Sequence, residues 1–253
     1  MSIKRHQVKS KLAVAYVLEN SSHTASYIPD TELLYRATFE QMIEKHSSVF
    51  VKPDSGRKSQ GILKIKRLAN DHFQLRESWS TNIKNFTSKN NLWTALKKRT
   101  KNKRYVIQQG INSYTESGRP FDLRCHALRV NGDWLIGGIC ARIGPVKEIV
   151  TTSHNGGTPT LIEDLFSLHL SFTREEQTEI IDRLHACVLH VVKTISPMYP
   201  CNYEFAVDIG LDDKKDIWVY EVNIEPLIRG NFKQLKDKSL YRRIRALRRK
   251  AKP

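Results

Sequence analysis

Asp208, Glu221 and Asn223 are the residues of this chain whose types and spacing point most directly to chemistry. Glu221 and Asn223 stand two apart in a strand-like stretch, so their side chains should share a face, and the same alternation puts Ile217 and Val219 on it. If a polar turn pairs this strand with the one carrying Asp208, an odd register sum puts Asp208 on the same face, opposite Glu221 or one diagonal step away, within about 5–8 Å. Two carboxylates and an amide oxygen suit Mg²⁺. The alternative is an ordinary hairpin with one solvated polar face.

A lysine at a strand end, followed by a glycine-containing loop, gives a second chemical signal. Lys52 follows a short buried-strand pattern, and the loop after it contains Ser55, Gly56 and Gly61. Such a loop can hold a triphosphate by charge and by its backbone N–H groups. It is not a Walker A loop, because it lacks the terminal Gly-Lys-Ser/Thr and no helix clearly follows. A polar hairpin loop is the alternative.

The elements that must position these residues form a mixed pattern of helices and strands. Strands are predicted at 49–51, 61–65, 71–76 and 105–109, and at 122–130 and 134–143, which an Asn131-Gly132 turn joins. Helices are predicted at 8–20, at 89–99, after Asp30 or Thr31 as cap, and from the capping box at Thr173 to Pro197. A C-terminal helix with an apolar stripe should pack onto the protein.

Composition limits the class of protein. The 253 residues carry a formal net charge of +16, and 40% are hydrophobic. No apolar run approaches the roughly 20 residues of a membrane span, and no secretory signal is present. The four cysteines lack metal-site spacing, which predicts reduced thiols and a cytoplasmic location. Basic clusters attract polyanions, but no nucleic-acid motif accompanies them, so nucleic acid is not the predicted partner. The alternative is a solvated helix face.

The order of these signals resembles the ATP-grasp superfamily, and within it the YheC/YheD-type endospore coat-associated proteins. The likeness covers roughly residues 8–245. It also includes the 13-residue step from Asp208 to Glu221. The stretches that carry it are Tyr27–Thr31, Val51–Pro53, Gln108–Ile111, Arg119–Arg124, Asn155–Gly157 and Glu221–Asn223.

The resemblance implies an α+β ATP-grasp fold, in which two α+β lobes enclose a nucleotide cleft. The expected division is an N-terminal helical segment at 1–30, an N-terminal lobe at 31–110, and a C-terminal lobe with a basic helix at 111–253. The implied activity is that of an ATP-dependent carboxylate–amine ligase working through an acyl phosphate, linked to sporulation or the spore coat. Two alternatives stay open: an ATP-grasp kinase for an acidic or polyphosphate acceptor, and a catalytically degenerate spore-coat or binding protein.

The resemblance also implies roles for individual residues. Lys11 and Lys52 would contact the nucleotide phosphates, and Gln108, Gln109 and Ile111 would border the adenine. Asp208, Glu221 and Asn223 would bind Mg²⁺, for which Mn²⁺ is an alternative. Arg124 and Arg142, together with Lys52, would act on the phosphates or the acyl phosphate. The remaining nucleotide-binding residues implied are Ser55, Gly56, Gly61, Asp122 and Asn155.

These residues could instead have purely structural roles, and the sequence departs from the family pattern at several positions. The lysines could lie on the surface, and Arg124 and Arg142 could be structural ion-pair partners. The loop 57–60 lacks the expected middle glycine, and Ala206 stands where several ATP-grasp ligases have an arginine. No Rossmann-like lobe precedes the core, so the expected partners are ATP, an unidentified carboxylate and amine, and either a second copy or another protein that supplies a lobe.

Overall fold

Two antiparallel sheets organise the chain. The computed structural model describes residues 10–56, 59–101, 103–153 and 156–251. The first sheet consists of β1 (Thr31–Leu33), β2 (Ser48–Pro53), β3 (Leu63–Arg67), β4 (Phe73–Glu77), β5 (Ile83–Phe86) and β6 (Tyr105–Gln109), in the spatial order β1-β6-β2-β3-β4-β5. The second consists of β7 (Phe121–Val130), β8 (Asp133–Ile143), β9 (Thr158–Leu161), β10 (Glu204–Leu211) and β11 (Ile217–Ile224), in the order β11-β10-β7-β8-β9.

Helices cover these sheets. The α-helices are α1 (Lys11–Glu19), α2 (Arg36–Lys45), α3 (Lys89–Thr100), α4 (Ile162–Asp164), α5 (Arg174–Ile195) and α6 (Ser239–Arg248). A π-helical turn, Leu165–His169, follows α4, and 3₁₀ turns lie at Ala25–Tyr27, Ala69–Asp71 and Ser196–Met198. Within the described residues, no helix is both long enough and apolar enough to span a membrane.

The first sheet buries one face and leaves the other toward the cleft. Val49 and Val51 on β2 pack in a core with Phe39 of α2 and Leu92 of α3. Because strand side chains alternate, Lys52 must point to the opposite face. The sheet therefore positions Lys52 on its cleft side while its neighbour Val51 holds the strand in the core.

The second sheet is buried on one face by α5. This helix begins with the predicted capping box, in which Thr173 Oγ1 accepts from the Glu176 N–H at 3.2 Å. Its apolar residues at helical spacing, such as Leu184 and Val188, meet Val207 of β10 in the largest core cluster. The side chains of β10 that alternate with Val207, including Asp208, must face away from α5.

The opposite face of the second sheet is divided between a packed half and a polar half. Helix α6 packs Ile244 against Leu128 of β7 and Phe232, as the apolar stripe of the basic tail predicted. Further along the same face, Asp122 and Arg124 of β7 lie beyond this cover. The polar half of the sheet therefore faces the cleft.

One sequence expectation for the first sheet is wrong, and one of its strands was missed. Thr31 does not cap a helix but begins β1, where it pairs with Gln108. The α2 helix begins later, after Tyr35, whose N–H donates to Thr38 Oγ1 at 3.0 Å. The edge strand β5 was not predicted, because its residues are exposed or half-buried and give no apolar alternation.

Candidate functional site

The β10–β11 hairpin places the three oxygen-bearing side chains together. Asp208 lies directly opposite Glu221, and Ala206 lies opposite Asn223. A β-bulge follows Asp208, because Ile209 pairs with Val219 and leaves Tyr220 as the extra residue. Glu221 and Asn223 therefore face the cleft together with Asp208.

The bulge corrects one expectation about this strand. Simple alternation grouped Ile217 and Val219 with Glu221 and Asn223 on one face. In the structure Ile217 and Val219 lie in the core beneath α5, and so does Val222. The extra residue reverses the alternation, so the core positions change from odd to even numbers across the bulge.

Asp208 is buried between two arginines. Arg124 Nη2 donates to Asp208 Oδ2 at 2.9 Å, and Arg142 Nη2 lies 3.1 Å from the same oxygen. Asn223 Nδ2 also donates to it at 3.2 Å. Arg124 Nε is 2.6 Å from Asp208 Oδ1, but the angle is not that of a hydrogen bond, so among the described residues Oδ1 keeps no hydrogen-bond donor. Burial alone would raise the pKa of Asp208, but the charges of Arg124 and Arg142 outweigh it and lower that pKa.

Arg142 is held by a second carboxylate. Its Nε donates to Asp122 Oδ1 at 2.7 Å and its Nη2 to Asp122 Oδ2 at 2.5 Å, a two-point arrangement across β7 and β8. Thr151 Oγ1 donates to Asp122 Oδ2 at 2.6 Å. Both arginines thus form cross-strand ion pairs, as the structural alternative expects. Their role in facing the phosphates stays a prediction.

The N-terminus of α1 brings Lys11 into the site. Lys11 Nζ lies 3.3 Å from Glu221 Oε1. Asp54, in the loop after β2, fixes this helix end: its Oδ1 accepts from Ser10 Oγ at 2.9 Å and from the Leu12 N–H at 3.0 Å. Nothing in the sequence indicated this role for Asp54, because its two partners, Ser10 and Leu12, lie 44 and 42 residues away along the chain.

Lys52 faces the hairpin from the other sheet. Its Nζ donates to Gln108 Oε1 at 2.6 Å and lies 5.6 Å from the centre of the Tyr220 ring and 5.3 Å from that of Phe50. Burial lowers the pKa of Lys52 to about 8, although Glu221 pulls in the opposite direction. Lys52 of the first sheet therefore lies beside the β10–β11 hairpin of the second sheet, in contact range of Tyr220.

A cavity of about 160 Å³ joins several predicted residues. Its polar lining includes Lys11, Ser55, Gly56, Gln108, Glu221 and Asn223. Apolar residues complete the lining, among them Val14 and Leu18 of α1 and Val222 of β11. The cavity thus joins Lys11 and Gln108 to Glu221 and Asn223, while Lys52 and Asp208 lie outside its lining.

Other predicted residues lie nearby but make structural contacts. Gln109 Oε1 accepts from the Asp30 N–H at 3.3 Å, and Ile111 is buried. Gly61 has a φ of 71°, and a Cβ there would lie 2.9 Å from the Tyr105 hydroxyl. Glycine therefore suits this turn for conformational reasons. Asn155 lies outside the described residues.

Tyr220 is a site residue that the sequence did not reveal. Its hydroxyl lies 2.9 Å from Ser113 Oγ, which donates to the Leu211 carbonyl at 2.7 Å. Gly210 makes room for it, because a Cβ at that position would collide with the Tyr220 hydroxyl. Tyr220 is the extra residue of the bulge, and no pattern in the sequence predicted that bulge.

A second cationic group stands beside Lys52. Lys64 Nζ donates to the Tyr114 hydroxyl at 2.7 Å and lies 5.1 Å from the centre of the Phe50 ring. Lys64 is only 7% exposed. The cleft face of the first sheet therefore presents two lysines, of which the sequence singled out one.

The donor set fits a divalent cation. No group of three His, Cys, Asp or Glu side chains among the described residues could hold a metal by itself. Asp208 and Glu221 supply two carboxylates and Asn223 an amide, a set suited to Mg²⁺ that also binds water and phosphate oxygens. Asp208 Oδ1 has no hydrogen-bond donor among the described residues, but Arg124 Nε lies 2.6 Å from it, so a cation at this oxygen would compete with Arg124.

Comparisons with known proteins identify the family of the chain. A family described as YheC/D like ATP-grasp matches residues 3–249. The endospore coat-associated protein YheD of Bacillus subtilis (strain 168) is 25% identical over 225 residues, which are 86% of this chain and 48% of YheD. The chain thus spans about half the length of this curated relative.

Solved structures share the fold. The C-terminal domain of K. lactis Pby1, an ATP-grasp enzyme, superposes with a TM-score of 0.56 at 14% identity, covering 98% of this chain and 72% of that one. The D-alanine–D-alanine ligase of Bacillus anthracis superposes with a TM-score of 0.55 at 16% identity, covering 96% and 68%. At these identities the likeness establishes the α+β ATP-grasp fold.

Proposed function

The chain belongs to the YheC/D-like ATP-grasp family, and from that premise we propose that it is an ATP-dependent carboxylate–amine ligase. The family implies ATP binding, and the ligase among the structural neighbours supports the reaction class. In this proposal residues 31–110 and 111–253 are the two lobes. The endospore coat-associated relative supports a link with the spore.

One observation carries the proposal: Asp208 and Glu221 lie opposite each other on β10 and β11, and Lys52 of the first sheet lies 5.6 Å from the ring of Tyr220, the residue before Glu221. The negative charges of both carboxylates raise the pKa of Lys52, against the larger lowering by burial. A purely structural hairpin gives no reason to desolvate a lysine opposite a carboxylate pair, since buried charge is costly. Nucleotide phosphates between the lysine and the carboxylates would use both.

The nucleotide would be held by residues from both sheets. Lys11 and Lys52 would bind the phosphates by charge, and the exposed Ser55–Gly56 loop would approach them with backbone N–H groups. Gln108, Gln109 and Ile111 would border the adenine at the end of β6. Asp208, Glu221 and Asn223 would hold Mg²⁺, or Mn²⁺, which when bound neutralises phosphate charge.

The reaction needs positioning and electrostatic stabilisation more than covalent help from the protein. A substrate carboxylate oxygen bonds to the γ-phosphorus while the bond to the β–γ bridging oxygen breaks, which releases ADP. An amine then attacks the acyl carbon, phosphate leaves and the amine loses a proton. Arg124 and Arg142, held beside Asp208, would stabilise the transferring phosphoryl group and the acyl phosphate.

A screen of carboxylate and amine pairs tests the proposal. ADP release is measured with Mg²⁺, and products are identified by mass spectrometry, for the wild type and for Asp208→Asn and Glu221→Gln. Both variants should lose at least about a hundredfold in ADP release. Asp213→Asn, in the exposed turn of the same hairpin, is the matched control and should keep it. Wild-type-like ADP release by both site variants would defeat the assignment.

A nucleotide-binding protein without turnover is the second candidate. The observation that favours it is the pairing of Arg124 with Asp208 and of Arg142 with Asp122, which already occupies both arginines. ADP binding with no turnover for any pair in the screen would support this candidate. A stable phosphorylated product without an amide would instead indicate a kinase.

A further inference from the structure

A second cavity, of about 650 Å³, opens beyond the end of β11. Its wall comes from the segment after Pro226 and from α6. We name it the basic pocket, and its lining residues are Leu227, Ile228, Arg229, Lys233, Tyr241, Arg245, Arg248 and Arg249. Of these eight residues, five are cationic and none is acidic.

The cations of the basic pocket are poorly compensated. Arg248 is the exception, since its Nε donates to Glu204 Oε1 at 2.7 Å and its Nη2 to the Pro226 carbonyl at 2.8 Å. Arg229, Lys233 and Arg249 form no ion pair with any carboxylate of the described residues. Arg245 lies over the Tyr241 ring, 5.9 Å from its centre, and forms no ion pair within the described part of the chain.

This excess of positive charge should attract anions. Arg229, Lys233, Arg245 and Arg249 are exposed, so salt screens their field, but at low salt their combined charge raises the local concentration of anions. Little nearby negative charge in the sequence could neutralise these cations, because Asp237 is the only acidic residue after Glu225. Arginine forks suit carboxylate and phosphate oxygens, which they bind in pairs.

The basic pocket lies on the same sheet face as the candidate metal site. Arg248 reaches Glu204, which in turn lies 2.5 Å from His126 Nε2. His126 stands two positions along β7 from Arg124, and so about 7 Å from it. The pocket wall begins at Leu227, four residues after Asn223.

We propose that the basic pocket binds a compact polyanion with at least two carboxylate or phosphate groups, and that this polyanion is the acid substrate. The second half of the statement rests on the proposed ligase function. At least two anionic groups are needed because the cations stand on two separate segments, with Arg229 and Lys233 on one and Arg245 and Arg249 on the other. Leu227, 81% exposed, offers the ligand an apolar contact.

Binding without nucleotide tests the first half. Isothermal titration calorimetry at low salt uses tricarballylate, tripolyphosphate and acetate as probes, which separates carboxylate from phosphate ligands and both from a single charge. The wild type should bind at least one polyanion and acetate much more weakly. The variant R245A/R249A should bind that polyanion at least about tenfold more weakly.

Two controls locate the effect. R242A/K250A removes the same charge from exposed positions of the same helix and turn, outside the pocket lining, and should change the affinity less than about twofold. Lys214→Ala, which removes a charge from the exposed turn between β10 and β11, should also keep the affinity. Equal losses in both double variants, no binding by the wild type, or binding of single-stranded RNA but of neither polyanion would overturn the pocket.

Turnover separates this proposal from the proposed function. If acids that drive ADP release show an unchanged KM in R245A/R249A, the basic pocket is not the acceptor site, while the ligase proposal stands. If polyanions bind the pocket but no acid drives ADP release, the ligase proposal fails and the pocket stands as a binding site. Both halves of the proposal are supported only if R245A/R249A raises the KM for the acid and leaves the KM for ATP unchanged.

Discussion

Replacing Lys52 with methionine should stabilise the nucleotide-free protein while removing nucleotide binding. The pKa of Lys52 falls from the ordinary 10.5 to about 8 through burial. That difference corresponds to roughly 3 kcal/mol against the charged lysine, and partial water access to this half-buried side chain reduces it to about 2 kcal/mol. Methionine keeps most of the apolar stem but loses the hydrogen bond to Gln108, which costs about 1 kcal/mol. The net gain is about 1 kcal/mol, or about 2–4 °C in Tm for a chain of this size.

The pH dependence provides the sharper assay. Because the folded pKa lies below the unfolded one, the unfolded chain binds more protons between pH 8 and pH 10.5, so wild-type stability rises with pH through that window. The advantage of Lys52→Met should therefore be full below pH 8 and shrink toward pH 10.5. Thermal unfolding is followed at both ends of the window, with exposed Lys66→Met as control, and at neutral pH with and without ADP. A Lys52→Met protein less stable than wild type at neutral pH, or a difference that does not depend on pH, would refute the reasoning.

Three further predictions concern packing and linkage. Gly210→Ala should cost about 1–3 kcal/mol in urea unfolding, because its methyl group would displace the Tyr220 hydroxyl, and an unchanged midpoint would contradict this packing. Ile244, on the buried face of α6, has 0% exposure, so Ile244→Ala should lower the free energy of unfolding by about 2–5 kcal/mol. Arg242→Ala, at an exposed position of the same helix, should change the free energy of unfolding little. Mn²⁺ titrated by electron paramagnetic resonance should bind weakly alone and at least about tenfold more tightly with ADP, since Arg124 and Lys11 now neutralise the metal-site carboxylates. Equal Mn²⁺ affinity in both conditions would show that these ion pairs do not compete with the metal.

Local patterns predicted the parts of this fold that local chemistry determines. The Asn131-Gly132 turn forms as expected, with φ of 52° and 92°, because both positions need left-handed backbone. The capping box at Thr173 starts α5 for a similar reason: its hydrogen bonds close within one turn. Such signals lie within a few residues and can be read without knowing the tertiary structure.

Features that depend on distant contacts were not predictable in the same way. Thr31 looked like a helix cap, but pairing with Gln108 of β6 makes it part of a strand. The bulge at Tyr220 depends on space left by Gly210 and on the Ser113 hydroxyl, one from the partner strand and one from the loop before β7. The sequence predicted Asp208 opposite Glu221 or one diagonal step away, and the bulge decides between the two. Counted from the turn, regular pairing through Ile209 and Val219 would place Tyr220 opposite Asp208, and the extra residue brings Glu221 there instead.

Charge at the candidate site connects the ion pairs to the proposed chemistry. Among the described residues, five cationic side chains at the site, Lys11, Lys52, Lys64, Arg124 and Arg142, face three carboxylates, Asp122, Asp208 and Glu221. Ion pairs that served only to stabilise the sheets would need equal numbers, since surplus buried cations are costly. The surplus is confined to Lys52 and Lys64, on the first sheet, whose contacts are a neutral amide, a hydroxyl and aromatic rings. A metal–nucleotide complex, which keeps about two negative charges on its phosphates, would balance this surplus and release the carboxylates to the metal. In the proposed function nucleotide phosphates would become the partners of these cations, among them Lys52, whose pKa burial lowers to about 8.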